Sequence, residues 1–156
     1  MKRNKVLTYL LFLLLPLAVG GLAALVTYHG MPVYEQLEKP VFTPPSFLFP
    51  IVWNLLYVLM GIGAARVWLS QDPMRGQRLR PFVLQLILNF FWTVWFFGAG
   101  QYLLAFFWLL ILLCVIGWVI AAFSKADPLA GRLQIPYLLW TGFAAVLNFS
   151  IFLLNL

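Results

Sequence analysis

Five long apolar runs alternate along the chain with short stretches that hold the charges and most of the prolines: Val6 to Tyr28, Phe47 to Trp68, Pro81 to Gly98, Tyr102 to Phe123 and Ile135 to Asn155. At about 1.5 Å of rise per residue, each is long enough to cross a hydrocarbon core of about 30 Å. None shows the two-residue alternation of barrel strands, so the pattern predicts helices. The expected fold is an all-α membrane protein, one domain over residues 1–156, built as a five-transmembrane-helix bundle with residues 29–46 as an outer loop. Five crossings place the termini on opposite sides.

What interrupts the hydrophobicity is more specific than the hydrophobicity itself. At helical spacing, Trp53, Tyr57 and Gly61 share a face of the second run. Gln85, Asn89 and Thr93 do so in the third, with Trp92 slightly rotated, and Tyr137, Trp140, Thr141, Ala144 and Asn148 do so in the fifth. Lipid-facing positions gain nothing from tryptophan or asparagine in mid-span, so these faces point to a pocket inside the bundle. The competing reading is that the amides bond across helices, typically for about 0.6 kcal/mol, and that the tryptophans form interface belts. Trp68 fits a belt, whereas Trp92, Trp95 and Trp140 lie too deep for one. A pocket of this composition suits a flat aromatic ligand: ring faces stack, amides orient, and Ala144 leaves room.

Composition agrees with the pattern. The chain is 64% hydrophobic and 9% charged, against about 25% charged for a soluble domain. Every Asp, Glu, Lys and Arg falls at a segment end or between segments, as expected from insertion costs of roughly 2.5–3.5 kcal/mol at a helix centre. Lys2, Arg3, Lys5, Arg66, Arg75, Arg78, Arg80, Lys125 and Arg132 lie on one side of the membrane and Lys39 alone on the other. This bias puts the N-terminus in the cytoplasm and the C-terminus outside. The basic start before an apolar run is also compatible with a secretory signal, with Ala18 to Ala24 as a cleavage region. Against that, the run of some twenty residues exceeds the usual 7–15 and no A-x-A site closes it.

Several function classes lose their parts list. No proton relay or counter-ion pair can be assembled within the spans, which disfavours channels and pumps. The net charge of +6 is a topology signal, because no basic stripe with interleaved aromatics exists for nucleic acid. No metal set is expected: Cys114 is alone in mid-span, and His29 reads as a solvated residue at the outer end of the first span. Its only acidic neighbours in sequence are Glu35 and Glu38, so conventional acid–base or nucleophilic catalysis lacks a constellation. The remaining chemistry is electron exchange between an electron-rich indole and an excited or oxidised ligand stacked on it.

The long connection from His29 to Ser46 is stiffened by Pro32, Pro40, Pro44 and Pro45. Its length and its Val33, Tyr34, Val41 and Phe42 favour a lid over the bundle mouth, a tolerated connection being the alternative. Small-xxx-small pairs, Gly20 with Ala24 and Gly61 with Ala65, predict close helix packing, and Pro16 predicts a kink in the first span. Asp72, Pro73, Gly76 and Pro81 recur 55 residues later as Asp127, Pro128, Gly131 and Pro136, and the same shift carries Trp53 onto Trp108. Either the second and third spans are repeated in the fourth and fifth, or two turns converged on common chemistry.

The segments KPVFTPPSFLFPIVWNLLYVLMGIGAARVW, LQLILNFFWTVWFF and PYLLWTGFAAVLNFSIFLLN, in this order over nearly the whole chain, resemble the TspO/MBR family of tryptophan-rich sensory and translocator proteins, also called peripheral-type benzodiazepine receptors, and its bacterial branch most. The resemblance implies a five-helix bundle in the bacterial cytoplasmic membrane, usually a homodimer. It implies a receptor or sensor for porphyrins such as protoporphyrin IX and for isoquinoline or benzodiazepine-type ligands, with no cofactor required. The family's ligand-binding positions match Tyr34, Pro44, Trp53, Asn89, Trp92, Trp140, Ala144 and Asn148. A light- and oxygen-dependent porphyrin breakdown, with Trp53 and Trp140 as catalytic candidates, is the alternative, and porphyrin or lipid transport the third. Animal members carry a Tyr followed by a basic residue near the end of the fifth helix; NFSIFLLNL has neither, which argues against a steroid role.

Overall fold

The computed structural model describes residues 3–156; Lys2, counted above among the basic residues, lies outside them. The spans are α1 (Lys5–Thr27), α3 (Leu48–Leu69), α5 (Arg80–Thr93) continued by a π-helical turn over Val94–Gly98, α6 (Tyr102–Ala126) and α8 (Ile135–Leu154). Three short helices lie in the connections: α2 (Met31–Gln36), α4 (Arg75–Arg78) and α7 (Pro128–Arg132). The expected five-helix architecture is therefore present, and all five helices are long and apolar enough to cross a membrane.

Helix ends are set by local chemistry. Asn4 caps α1 by accepting from the Leu7 N–H at 3.1 Å, and Asp127 caps α7 by accepting from the Leu129 N–H at 3.0 Å. Asp72 accepts from the Met74 N–H at 2.8 Å in the same way, and that bond together with Arg78 holds its carboxyl below the usual carboxylate range. Both copies of the 55-residue echo thus carry one turn: an aspartate bonded two residues ahead, a short helix, and a proline at the second position of the next span. Pro32 stands at the start of α2 in the same role, so the outer connection begins helical where a loop was expected. Gly100, at φ +63°, makes the tight turn from the third span into α6.

Packing runs in a ring: α3 against α1, α1 against α5, α5 against α6, and α6 against α8. The ring closes on the N-terminal side through α7, where Arg66 of α3 meets Asp127 at 2.8 Å, and where Gly63 leaves room for the Gln134 side chain. Gln134 donates to the Leu59 carbonyl at 3.3 Å. Large apolar side chains of α1 and α6, including Leu10, Leu14, Leu25, Phe107, Ile111 and Trp118, are exposed around the outside, as a lipid-facing surface requires. Cys114 belongs to that outer surface. Pro16 lies inside an α1 that continues past it as one helix.

The glycine of each small-residue pair sits at the α1/α3 seam. A Cβ on Gly61 would sit 2.6 Å from the Phe12 carbonyl oxygen and 2.8 Å from Leu13 Cα, and one on Gly20 would strike the Tyr57 ring. Gly61→Val should therefore force the seam apart and cost about 1–3 kcal/mol. Gly117→Ala on the lipid face, where a Cβ meets nothing within 4 Å, should be neutral. Thermal unfolding of the detergent-solubilised variants measures both, and equal melting temperatures would refute the seam's dependence on glycine.

Candidate functional site

A cavity of about 520 Å³ lies in the half of the bundle that holds the outer connection, bounded by α1, α2, α3, the third span and α8. That volume lies within the roughly 300–1,000 Å³ typical of small-molecule sites. α3 contributes Pro50, Trp53, Asn54 and Tyr57, which follow the i, i+3, i+4, i+7 spacing of one helical face. From the third span come Trp92, Thr93, Phe96 and Phe97, and from α8 Trp140, Ala144, Leu147 and Asn148. α1 presents mostly small residues, among them Gly20, Gly21 and Ala24, so its wall is thin.

Aromatic rings brace one another around this space. Trp53 has its ring 5.8 Å from Tyr57 and 6.0 Å from Trp92, tilted in both cases, and 6.2 Å from the edge-on Tyr137. Trp140 sits 6.0 Å from Phe49 and 5.5 Å from Phe143. Such offset and edge-to-face pairs are worth about 0.5–1.5 kcal/mol each beyond area burial and hold the rings as fixed plates. The π turn matters here. Its i→i+5 pairing, with the Ala99 N–H reaching the Val94 carbonyl at 2.8 Å, brings the consecutive residues Phe96 and Phe97 both to the wall.

Behind the wall runs a chain of hydrogen bonds. The Tyr57 hydroxyl donates to Asn89 Oδ1 at 3.4 Å, Asn89 Nδ2 donates to the Tyr137 hydroxyl oxygen at 2.8 Å, and Tyr137 donates to Gln85 Oε1 at 2.7 Å. A second chain joins Trp92 Nε1 to Asn148 Oδ1 at 3.1 Å and Asn148 Nδ2 to the Tyr102 carbonyl at 2.8 Å. The alternatives weighed from sequence are thus combined: the amides do bond across helices, and by doing so they fix the tryptophan and tyrosine plates.

Of the eight expected ligand-binding positions, Tyr34, Trp53, Trp92, Trp140, Ala144 and Asn148 line the cavity. Asn89 stands behind it, committed to Tyr57 and Tyr137. Pro44 stays in the covering segment, outside the wall. Gln85, Tyr137 and Thr141 are buried supports, while Gly61 belongs to the α1 seam. Trp95 faces α6, stacked on Phe91 and edge-on to Trp108, and Trp68 is exposed at the far end of α3 beneath Arg75. The covering segment is tied down: Tyr34 is only 3% exposed, Phe42 meets the Phe143 ring at 6.1 Å, and Asn155 exchanges two bonds with the Glu38 backbone at 3.0 and 2.9 Å. Asn54, Phe96, Phe97 and the α1 wall were not anticipated. Asn54 had a signal, since it shares the face of Trp53 and Tyr57; the α1 wall had none, because small residues read equally as packing.

Among the described residues, no Asp, Glu, Lys, Arg or His lines this cavity, and no group of three His, Cys, Asp or Glu side chains is able to hold a metal. The arrangement can stack, orient and exclude water.

Fold and cavity together define an integral membrane protein whose five helices enclose an aromatic pocket. The chain belongs to the TspO/MBR family, whose family model matches residues 12–154, and so to a family of membrane sensor and translocator proteins. It is 36% identical to the tryptophan-rich protein TspO of Chlorobaculum tepidum, over 97% of this chain and 98% of the relative. It is also 36% identical to the translocator protein of Sus scrofa, over 90% and 85%, and 36% identical to protein CrtK of Rhodobacter capsulatus, over 78% of each.

Proposed function

We propose that the protein is a membrane receptor or sensor that takes porphyrins, protoporphyrin IX among them, and other flat aromatic molecules into this cavity. The observation that carries the reading is the wall itself: about 520 Å³ enclosed by braced indole, phenol and phenyl rings, without an ionisable acid, lysine, arginine or histidine. Stacking and apolar burial are the interactions such a wall offers, and both favour a large planar ligand. Ala144→Phe puts a ring into the space beside Trp140 and should lower protoporphyrin affinity at least about tenfold. Gln71→Ala, in the connection at the other end of α3, should leave it unchanged. Fluorescence titration of the folded variants measures both; an unchanged affinity in Ala144→Phe would move the site elsewhere.

The second reading, photo-oxidative degradation of bound porphyrin, is favoured by Trp53 and Trp140 standing on the wall with ring neighbours at about 6 Å. In it, the excited porphyrin takes an electron from an indole and passes it to dioxygen, giving superoxide. The indole radical cation recovers an electron from the porphyrin, and superoxide adds to the porphyrin radical cation, so that porphyrin is oxidised, dioxygen is reduced and the indole is restored. Trp53→Phe and Trp140→Phe keep an aromatic plate, so binding should weaken by less than about tenfold while product per bound porphyrin falls steeply. Product yields at saturating porphyrin, illuminated and dark, decide between the readings: parental rates in both Phe variants, or equal breakdown in protein-free detergent, would leave the indoles as walls only.

The orientation belongs to the same proposal. Nine Lys and Arg residues on one side against Lys39 on the other put the N-terminus in the cytoplasm of a bacterium and the cavity in the outer half of its cytoplasmic membrane. A periplasm-dependent reporter fused after Leu156 should be active, and activity of a cytoplasm-dependent reporter there would reverse the topology.

A further inference from the structure

One side of the cavity faces neither the covering segment nor the bundle. On the N-terminal side α1 is held to α3, where Gly61 admits the Phe12 carbonyl. At its other end it is held to the third span instead, where Gly30 lies against the Phe97 carbonyl and the Cβ position of Gly98 is 3.6 Å from Thr27. The α1/α3 contact runs on as far as Gly20, which lies against the Tyr57 ring, and beyond it the seam stands open. Gly21 and Ala24 of α1 and Pro50 and Asn54 of α3 are both exposed and part of the cavity wall. A Cβ on Gly21 would meet nothing within 4 Å.

Asn54 lies six residues into α3, about 9 Å from its end and so within the depth of hydrocarbon that the helix crosses. Asn89 and Asn148 both commit their amides to protein partners; the Asn54 amide has none among the described residues. An unpaired amide at an opening toward lipid is costly, and a polar side chain at this depth is a functional residue by default. We propose that the α1/α3 opening is the mouth of the cavity, through which ligand enters from the bilayer, and that Asn54 holds the ligand's polar group there. A primary amide both donates and accepts. Its complement is a neutral carboxylic acid or carboxamide on a flat aromatic body, since an ionised carboxylate would bring an uncompensated charge into the apolar wall.

The inference rests on the cavity being the ligand site, and a matched pair of porphyrins separates the two claims. Protoporphyrin IX carries two carboxylic acids, whereas octaethylporphyrin carries only alkyl groups on the same macrocycle. In nanodiscs, Asn54→Leu should weaken protoporphyrin IX about tenfold and octaethylporphyrin less than about twofold; Asn54→Ser serves if the leucine variant does not fold. Gly21→Leu, which narrows the mouth, should slow association of both. Equal effects of Asn54→Leu on the two porphyrins, or none, would overturn the anchor, and unchanged association in Gly21→Leu would overturn the mouth. Loss of self-association in Asn54→Leu with unchanged porphyrin affinities would assign the amide to a contact between copies. If neither porphyrin binds the parent protein, the cavity reading fails first and the anchor with it.

Discussion

Inside hydrocarbon no water is available to an amide or a hydroxyl, so a polar side chain in a span is costly unless it finds a partner within the protein. Tyr57, Asn89, Tyr137 and Gln85 meet this demand by bonding to one another across α3, α5 and α8. The bonds are directional and the helices are stiff, so the network holds the three helices at a set separation. A cavity between them persists as a consequence. Trp92 and Asn148 extend the constraint to α6 through the Tyr102 carbonyl. Removing any member would leave a neighbour unpaired, which is why the polar residues act on the site's shape although three of the four in the first chain never reach its wall.

The same logic explains which parts of the structure were legible beforehand. Spans are set by the length and apolarity of a run, and these were read to within a few residues, as with α8 ending at Leu154 where Asn155 was expected. Facing residues follow from helical period, so Trp53 and Tyr57, and Trp140, Ala144 and Asn148, were correctly grouped. Period also exposes its own limit. Asn89 shares the face of the wall residues, yet its depth behind the wall is decided by which tyrosines reach it, a tertiary fact. The π turn was illegible because VWFFG suits either helix, and the extra residue is selected by how the end of the third span meets Gly30 and Thr27. Pro44 could be assigned to a covering segment but not to the wall, since a proline-rich connection leaves the position of each ring open.

The covering segment shows how weak local order becomes firm order. Alone, a stretch with four prolines has little hydrogen bonding of its own. Here α2 carries Tyr34 into contact with Phe49, Phe96 and Phe97, Ser46 donates to Glu35 at 2.8 Å, and Asn155 ties the Glu38 backbone to the end of α8. The Tyr34 contacts reach α3 and the third span, the Asn155 bonds reach α8, and the Ser46–Glu35 bond closes the segment on itself, so the segment has few ways to move without breaking one, and the cavity is covered on this side. That closure leaves the α1/α3 seam as its open flank.

The 55-residue echo lets two seams of the bundle be compared position by position. The shift maps α3 onto α6 and α5 onto α8, so the α5/α6 seam corresponds to the seam between α8 and α3. In the first, the seam is closed: Trp108 donates its indole N–H to the Leu88 carbonyl at 2.7 Å. The equivalent pair in the second is Trp53 and Phe143, and no such bond joins them; the cavity lies there instead, with Trp53 on one wall and Trp140 and Ala144 on the other. One tryptophan of the pair is thus a structural rivet and the other a plate of the cavity wall, braced by its ring neighbours. α1, which has no counterpart in the echo, packs on the first copy and covers the space with small residues. A bundle that closed both seams alike would have no cavity here; the second seam does not close, its helices being held by the Tyr57–Asn89–Tyr137 bonds, and that makes room for a site.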